Sequence, residues 1–450
     1  MPQVHPPPTA ADATLPERIG KYRVTRRLGE GATSEVFLAH DDFNQREVAI
    51  KRLRQGADGD NTEGTHGERF FAAEAALVGK LKHPNVVAIY DAVADPSQPY
   101  LVMEYVRGQT LRRYCRADLL LPLAQIVELG FKCAMALDYV FRQGVIHRDV
   151  KPANLLAVVE GDQVNDVKIS DFGSALNLHS DRTQIFRVGS LAYMSPEQLD
   201  GDTVDCRADI YSLAGVLYHL IAGRAPFDAT TQQAMMAQIY NAHAPALTEL
   251  REGVPAGLST LVMAALAKSP GDRPQNWEDV ARALSSLTTN HEVPQGGWAG
   301  VRDSERFTLL RELEFFSGFG DVELWEVVHR ARWQRFAVDS ALYRKGQVGG
   351  GFHIIARGAV DVYRDGQRVA QLGAGTSVGE MAYLAPSEEL RVHSADVVVT
   401  APCTAISLTG EGLAQMSSAT RHLFDTAFIR VLVRRLNVAH ATLAHPRRIL

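Results

Sequence analysis

One polar run constrains this chain more than any other feature, namely His147-Arg148-Asp149-Val150-Lys151-Pro152-Ala153-Asn154. Asp149 can accept or orient the proton of an attacking hydroxyl, and Lys151 can neutralise charge on a group in transfer. Asn154 offers a neutral oxygen ligand to Mg²⁺. Downstream, Asp171 ends a strand-like segment and offers a second oxygen ligand. This combination of a base, a cation and two metal ligands predicts a site that handles phosphate.

A glycine-rich hairpin and a lysine precede this run. The hairpin is Leu28-Gly29-Glu30-Gly31-Ala32-Thr33-Ser34-Glu35-Val36, in which Ser34 takes the place of a third glycine. Glycines at such a turn let backbone amides approach a polyphosphate. Lys51 ends an apolar strand and is a candidate for the α- and β-phosphates, with Glu74 rather than Glu68 as its anionic tether. Taken singly, each feature more often has a purely structural explanation. The hairpin can be an ordinary hairpin, Lys51 a solvated strand end and Glu74 a surface glutamate.

Composition excludes several classes of protein. Of 450 residues, 46% are hydrophobic and 22% are charged, which excludes a disordered, collagenous or low-complexity chain. The net charge of −5 gives no reason to expect a nucleic-acid partner, and no apolar run is long enough for a membrane span. Four separated cysteines predict buried thiols rather than disulfides or structural zinc. Because the N-terminus also lacks a signal-like pattern, we predict a cytoplasmic protein.

The pattern of apolar residues divides the chain into five segments. We predict a proline-rich disordered arm at 1–19, a first domain at 20–287, a linker at 288–303, a second domain at 304–440 and a tail at 441–450. The first domain begins with strand-like alternation and continues with amphipathic helices, after an early helix at about 68–82. The second domain has many short strands between flanking helices. The predicted fold class is therefore α+β, with a two-lobed first domain and a small β barrel or jelly roll.

The motifs of the first domain occur in the order and at the spacings of a known family. The hairpin, Lys51 and the polar run are followed by Asp171-Phe172-Gly173, Ser195-Pro196-Glu197, a buried-type Asp209 and Arg273. Residues of about 20–285 thus resemble a eukaryotic-like Ser/Thr protein kinase, most like the bacterial members. The resemblance implies a protein serine/threonine kinase that transfers the ATP γ-phosphate to protein hydroxyls with the help of Mg²⁺.

The same resemblance implies roles for individual residues. The implied catalytic residues are Asp149, Lys151, Lys51 and Glu74, and the implied metal ligands are Asn154 and Asp171. The implied ATP-binding residues are Leu28, Gly29, Gly31, Ser34, Val36, Ala49, Lys51, Met103, Glu104 and Val106. A pseudokinase, the inactive alternative within this fold, would lack Lys51, Asp149, Asn154 or Asp171, and all four are present.

Arg148 indicates regulation by phosphorylation. An arginine beside the catalytic aspartate can pair with a phosphate on the activation loop, which spans 171–197. Thr183 lies where the family's loop phosphosites cluster, and Arg182 and Arg187 flank it. We therefore predict autophosphorylation at Thr183, with an unmodified loop threonine as the alternative.

The second domain resembles a different family. Residues of about 308–440 carry Phe315-Phe316-Ser317-Gly318-Phe319, Lys345-Gly346 and Gly379-Glu380-Met381-Ala382. These motifs are similar to those of cyclic nucleotide-binding domains of the catabolite-activator and protein-kinase-A type. The resemblance implies that backbone amides at Gly379, Glu380 and Met381 hold a cyclic phosphate and that Glu380 binds the ribose 2′-hydroxyl.

Two residues are candidates for the cation that a cyclic phosphate requires. His393, in His393-Ser394-Ala395, stands in the register of the family's arginine, and Arg391 lies just before it. Glu388 and Glu389 add negative charge nearby. Cyclic AMP or cyclic GMP is one predicted ligand, and a degenerate module that binds something else or only a protein surface is the alternative.

Two functions from different classes follow. The first is a Ser/Thr kinase regulated by activation-loop phosphorylation and by a C-terminal cyclic-nucleotide-type sensor. The second is a signalling scaffold whose C-terminal domain is a ligand-free interaction module. The expected partners are protein substrates, without nucleic acid or membrane, and a homodimer is left open. The C-terminal helix is predicted to carry solvated arginines rather than a DNA-binding surface, and these are Arg430, Arg434, Arg435, Arg447 and Arg448.

Overall fold

The computed structural model describes residues 15–31, 34–54, 71–94, 98–161, 163–174, 176–177, 191–293, 302–385 and 387–444. The chain divides into two compact units, Met1–Val301 and Arg302–Leu450. The boundary between them falls inside the predicted linker.

An antiparallel sheet forms the first lobe of the N-terminal unit, with strand order β1-β2-β3-β4-β6-β5. Its strands are β1 (Arg18–Ile19), β2 (Tyr22–Glu30), β3 (Ser34–Asp41), β4 (Arg46–Leu53), β5 (Ile89–Val93) and β6 (Tyr100–Glu104). Side chains alternate between the two faces of a strand. On β4, Val48 and Ile50 are therefore fully buried in the core of this lobe. Ala49 and Lys51 share the opposite face of the strand.

The predicted helix at 68–82 is shorter than expected. Among its described residues, 71–75 are helical and turns follow through 80. The amide of Ala76 still bonds to the carbonyl of Ala72, but the amide of Leu77 bonds to that of Glu74, which tightens the winding. Gly79 then adopts a positive φ of 68°, a conformation that ends helices.

The second lobe of the N-terminal unit is helical. Its helices are α1 (Leu123–Arg142), α2 (Pro196–Asp200), α3 (Cys206–Ala222), α4 (Gln232–Asn241), α5 (Leu247–Leu250), α6 (Ala256–Ala265) and α7 (Trp277–Thr289). A 3-10 helix, Leu111–Cys115, precedes α1. Five short strands complete this lobe: β7 (Gly108–Thr110), β8 (Val145–Ile146), β9 (Leu155–Glu160), β10 (Gln163–Ile169) and β11 (Leu176–Asn177). Side-chain caps fix where the helices begin: Asp205 accepts the amide of Arg207 at α3, and Asn276 accepts that of Asp279 at α7.

The C-terminal unit is a β roll flanked by helices. Its strands are β12 (Arg332–Phe336), β13 (Ala341–Tyr343), β14 (Gly351–Arg364), β15 (Gln367–Gly373), β16 (Ser377–Val378) and β17 (Asp396–Thr409). Its helices are α8 (Asp303–Glu312), α9 (Asp321–Arg330), α10 (Glu380–Tyr383), α11 (Gly410–Ala414) and α12 (Ser418–Ala444). The long strands β14 and β17 pair along their length, with register shifts around Gly358. Gly358 has a φ of 93°, and a Cβ there would lie 2.4 Å from the carbonyl oxygen of Pro402, so only glycine fits.

These features confirm the predicted α+β class. All four cysteines are buried free thiols, as expected. Among the described helices, none has the length and apolar character needed to cross a membrane.

Candidate active site

Three charged side chains predicted from distant parts of the sequence meet at one point. Lys51, on β4, donates from Nζ to Oε1 and Oε2 of Glu74 at 2.9 and 3.0 Å, and to Oδ1 of Asp171 at 2.6 Å. The side chain of Glu74 is only 3% exposed. The structure thus brings Lys51 to the predicted tether, while Glu68, the competitor, lies outside the described residues.

Two carboxylates share this one ammonium group, and the sharing shifts all three pKa values. Burial and the nearby Asp171 raise the pKa of Glu74 to about 7, although Lys51 opposes the shift. Desolvation also opposes the ionisation of Asp171, but Lys51 outweighs it and holds the pKa of Asp171 below its usual range. Burial lowers the pKa of Lys51, but the two carboxylates more than compensate and raise it above its usual value. The triad carries a surplus negative charge that a further cation would stabilise.

The polar run forms a loop centred on Asp149. Lys151 Nζ donates to Asp149 Oδ2 at 2.7 Å, and Asn154 Nδ2 donates to Asp149 O and Oδ2 at 2.8 and 3.0 Å. Arg148 has a left-handed φ of 65°, which is strained for a non-glycine residue. The buried carboxylate of Asp209, on α3, offsets the strain by accepting the amides of His147 and Arg148, each at 2.8 Å. The loop is thereby held in one conformation around the carboxylate of Asp149.

Asn154 and Asp171 fit the Mg²⁺ that the fold family implies. Asn154 turns its amide nitrogen toward Asp149, so its carbonyl oxygen is the atom that it can offer to a cation. The carboxylate of Asp171 supplies a charged oxygen from a backbone whose φ is 66°. An amide oxygen and a carboxylate oxygen are hard ligands of the kind that Mg²⁺ prefers.

The residues predicted to bind ATP line neighbouring strands. Val36 pairs with Lys51, and Ala49 pairs with Met103, so the hairpin, β4 and β6 lie side by side. A Cβ added to Gly29 would have no described atom within 4 Å, apart from those of the two adjacent residues. The φ of Gly29 is also not positive, so its backbone conformation does not require glycine. Packing and backbone conformation thus do not demand glycine at this position, and the absence of a side chain leaves the backbone of Gly29 open to a ligand. Leu28, Gly31 and Ser34 belong to the hairpin, and Val106 follows the end of β6.

Glu104 plays a more structural part than expected. Its carboxylate accepts Lys168 Nζ at 3.0 Å and the amide of Ala88 at 3.2 Å. Its own amide donates to the carbonyl of Ala88 at 2.8 Å. The carboxylate and the amide of Glu104 are thus both engaged within the fold.

The segment after the activation loop is anchored by two contacts. Arg273, whose side chain is fully buried, donates to both oxygens of Glu197 at 2.6 and 2.8 Å. Gln198 Nε2 donates to the carbonyl of Arg148 at 2.9 Å and ties α2 to the catalytic loop. Gln198 is not among the residues predicted from sequence, although it forms a capping box with Ser195 whose pattern is readable from sequence. Thr183 lies outside the described residues.

A second site forms around Glu380 in the C-terminal unit. Glu380 is 1% exposed at the start of α10, and Arg435 of α12 contacts its Oε1 and donates to the carbonyl of Ser377 at 2.6 Å. Neither Glu380 Oε2 nor Ser377 Oγ has a hydrogen-bond partner among the described residues. The expectation of a solvated Arg435 is wrong, because the fold of α12 brings it to a buried carboxylate. The neighbouring Arg430 and Arg434 contact Ser317 and Glu314 and stay at the surface.

The two cation candidates occupy different environments. The ring of His393 is buried and stacks on Tyr343 with centroids 3.9 Å apart. Burial lowers the pKa of His393 below its usual value, so the ring is neutral at pH 7. Arg391 and Met381 are exposed. The buried carboxylate expected for a ribose is thus present, but no buried charged side chain stands at His393 for a phosphate. A cavity of about 690 Å³ opens beside these rings, lined among others by Tyr343, His353 and His393.

Comparison with known sequences agrees with this geometry. A family model described as "Protein kinase domain" matches residues 22–284, and one described as "Cyclic nucleotide-binding domain" matches residues 333–419. Serine/threonine-protein kinase PknB of Mycobacterium leprae is 37% identical over 306 residues, covering 66% of this chain and 47% of PknB. PrkC of Bacillus subtilis is 34% identical over 312 residues, covering 68% of this chain and 46% of PrkC. A probable serine/threonine-protein kinase of Clostridium acetobutylicum is 34% identical over 298 residues, covering 65% of this chain and 42% of that kinase.

The chain spans less than half the length of these curated relatives. The kinase match covers more than half of the chain and includes every residue of the Lys51 triad and the Asp149 loop. The chain therefore belongs to the protein kinase family.

Proposed function

We propose that this chain is a Ser/Thr protein kinase that transfers the γ-phosphate of ATP to protein hydroxyls. The observation that carries the proposal is the meeting of Lys51, Glu74 and Asp171 beside a loop that holds Asp149 and Lys151. Positioning and charge stabilisation supply most of the catalysis in phosphoryl transfer. Both are provided here by side chains that the fold holds in place.

Each residue has a distinct part in the proposed reaction. Asn154 holds the carboxylate of Asp149, which orients the incoming hydroxyl and takes up its proton. Lys151, which donates to Asp149 in the resting site, stabilises the charge that develops on the phosphoryl oxygens. Bound Mg²⁺, held by Asn154 and Asp171, would neutralise charge on the phosphates.

Lys51 changes partners when ATP binds. In the resting site its ammonium is shared between Glu74 and Asp171. The α- and β-phosphates replace Asp171 as its second partner, while Glu74 keeps the side chain extended. Asp171 is then free to bind the cation.

Transfer of labelled phosphate tests the proposal. We expect the purified full-length chain to label itself or a generic basic protein, and Asp149→Asn to lower the rate by about 10²–10⁴-fold. Asp272→Asn, the same substitution at an exposed aspartate of the same unit, serves as the matched control and should keep the wild-type rate. Equal labelling by wild type and Asp149→Asn would refute intrinsic catalysis and favour the scaffold.

We also propose that phosphorylation of Thr183 regulates the kinase through Arg148. Burial lowers the pKa of the Arg148 guanidinium below its usual value, with Asp209 opposing the shift. A phosphate on Thr183 would pair with this guanidinium through charge-assisted hydrogen bonds. Phosphopeptide mapping after incubation with ATP should find phosphate at Thr183, and Thr183→Ala should lower activity more than Ser180→Ala. Absence of phosphate between 174 and 190 would refute this mode of regulation.

We infer, third, that the C-terminal unit regulates the kinase by binding a small ligand at Glu380. Support comes from the buried Oε2 of Glu380, which lacks a partner among the described residues, and from the Arg435 contact that a ligand hydroxyl would disturb. Calorimetry with cyclic AMP and cyclic GMP tests two ligands of the implied class, with Glu380→Gln and His393→Ala as variants. Heat that Glu380→Gln abolishes would support the inference, and no heat with either nucleotide would exclude them as ligands.

A further inference from the structure

An aromatic ring covers the turn that is expected to hold a cyclic phosphate. Gly379, at the start of α10, has a φ of 84°, which lies in the left-handed region. A Cβ added to Gly379 would lie within 2.7 Å of Cε2, Cζ and Oη of Tyr343. The phenol end of Tyr343, on β13, therefore packs directly against the backbone of the turn.

Two histidines hold Tyr343 in this position. Its hydroxyl lies 2.5 Å from Nδ1 of His353, and the two rings are perpendicular, at 89°. Its ring also stacks on His393, with centroids 3.9 Å apart. The backbone of His393 is itself fixed, because its amide donates to the carbonyl of Gln347 and its carbonyl accepts the amide of Gly346, each at 2.8 Å. Tyr343 is thus supported at its hydroxyl and on one face of its ring.

This cluster is uncharged at neutral pH. Burial and His393 lower the pKa of His353 to about 4, and burial lowers the pKa of His393 as well. Both rings are therefore neutral at pH 7, and Nδ1 of His353 can accept the phenol proton. Burial and the nearby Glu380 raise the pKa of Tyr343 above its usual range, so the phenol is neutral too. The cluster carries no positive charge with which to bind an anion.

The arginines of this region do not supply the missing charge from a buried position. Arg435 is engaged by Glu380 and by the carbonyl of Ser377. Arg391 is exposed, and its backbone carbonyl accepts the amide of Gly349 at 2.7 Å. A cyclic phosphate at the turn would have to displace a packed phenol ring, and it would gain no buried cation among the described residues. The residues present thus do not fit a cyclic phosphate.

We propose that Tyr343 takes the place of the cyclic phosphate in this unit and thereby excludes cyclic nucleotides from it. The inference rests on the proposed ligand site at Glu380, because it names a class of ligand that this site rejects. The cavity of about 690 Å³ reaches Tyr343 and His393, whereas its lining within the described part of the chain includes neither Gly379 nor Glu380. A ligand that enters through this cavity meets the phenol ring before it reaches the turn.

Calorimetry with cyclic AMP tests the inference on the full-length chain, with a non-hydrolysable ATP analogue present to occupy the kinase unit. The wild type should give no heat. Tyr343→Val/His393→Arg removes the ring, keeps a β-branched residue on β13 and supplies a cation, so it should bind cyclic AMP. Its affinity should exceed that of Tyr343→Val alone on the order of 10–100-fold, the contribution of hydrogen bonds to a charged group.

Two controls separate the ring from the other contacts. His393→Arg alone should give no heat, because the ring still covers Gly379. Tyr343→Phe keeps the ring and loses only the bond to His353, so Tyr343→Phe/His393→Arg should also reject cyclic AMP. Thermal melting reports the folding of every variant, and cyclic AMP should raise the Tm of the variants that lack the ring and leave that of the wild type unchanged.

Three results would overturn the inference, and they are distinguishable. Heat from the wild type that Glu380→Gln abolishes would refute exclusion by Tyr343 and support the proposed site at Glu380. A folded Tyr343→Val/His393→Arg variant that gives no heat would show that the ring is not what excludes the nucleotide. If adding Glu380→Gln leaves the affinity of that variant for cyclic AMP unchanged, the nucleotide binds elsewhere, and the Glu380 site is refuted together with the inference.

Discussion

The contact between Arg435 and Glu380 allows a quantitative prediction for the C-terminal unit. Arg435→Ala removes the only described side chain bonded to a carboxylate that is 1% exposed. Removal of one partner from a buried ion pair costs about 3–5 kcal/mol, because the remaining charge stays desolvated. The side chain of Arg435 is 37% exposed, so water can partly replace it. We therefore expect the lower end, a loss of about 3 kcal/mol in the free energy of unfolding.

Urea denaturation and thermal melting measure this loss. For a unit of this size, about 3 kcal/mol corresponds to a fall in Tm of roughly 10 °C. Glu380→Gln in the Arg435→Ala background should recover much of the stability, since a neutral amide is less costly to bury than a charge. This double variant isolates the buried charge from the lost packing of the arginine stem.

Arg434→Ala provides the matched control on the same helix. Arg434 pairs with Glu314, and both side chains are 67% exposed, so the loss should be far smaller than that of Arg435→Ala. Equal losses for Arg434→Ala and Arg435→Ala would refute the reasoning, because burial of Glu380 would then have no energetic consequence.

Three further predictions concern stability. Burial and the neighbouring His393 lower the pKa of His353 to about 4, so the unfolded chain binds the proton more readily than the folded one. The C-terminal unit should therefore lose up to about 3 kcal/mol in its free energy of unfolding as the pH falls from 6.5 toward 4. Urea titrations across this pH range should show a flatter stability profile for His353→Gln. Arg273→Ala leaves the Glu197 carboxylate without its bidentate partner and should destabilise the N-terminal unit by about 3–5 kcal/mol. Chemical denaturation measures this loss, and a loss below about 1 kcal/mol would contradict the prediction. Gly358→Ala should lower the free energy of unfolding by more than about 2 kcal/mol in the same assay, because both the positive φ and the nearby Pro402 carbonyl exclude a Cβ. Wild-type stability of this variant would show that β14 and β17 can shift apart.

The catalytic centre is largely predictable from sequence because its motifs are local. Asp149, Lys151 and Asn154 stand on one loop, so their spacing alone places their side chains together. The hairpin turn at Asp365-Gly366 is predictable for a similar reason, since both residues adopt the positive φ values, 53° and 80°, that such a turn requires. Local chemistry decides local geometry in each case.

Contacts that depend on packing between distant elements are not predictable in this way. Arg435 lies far from Glu380 in sequence, and the helical spacing of α12 alone does not reveal which of its arginines faces α10. His393 occupies the register of a phosphate-binding arginine, yet its stacking on Tyr343 depends on how β13 folds across the roll. The helix predicted at about 68–82 likewise ends before its predicted end, because the proline in His83-Pro84-Asn85 marks where a helix cannot continue and not where its winding stops.

Helix α3 anchors two separate parts of the kinase unit. Asp209 accepts the amides of the catalytic loop, and Nδ1 of His219 lies 2.7 Å from the hydroxyl of Tyr193, just before α2. These two anchors restrict how the unit can change over evolution. An α-helix turns by about 100° per residue, so inserting or deleting one residue between Asp209 and His219 would rotate one anchor by that angle around the helix, away from its present partner. Either the catalytic loop or the Tyr193 segment would then lose its attachment. Length variation should therefore be tolerated in the loops that flank α3 and rejected within it, even where the change preserves hydrophobicity and helix propensity.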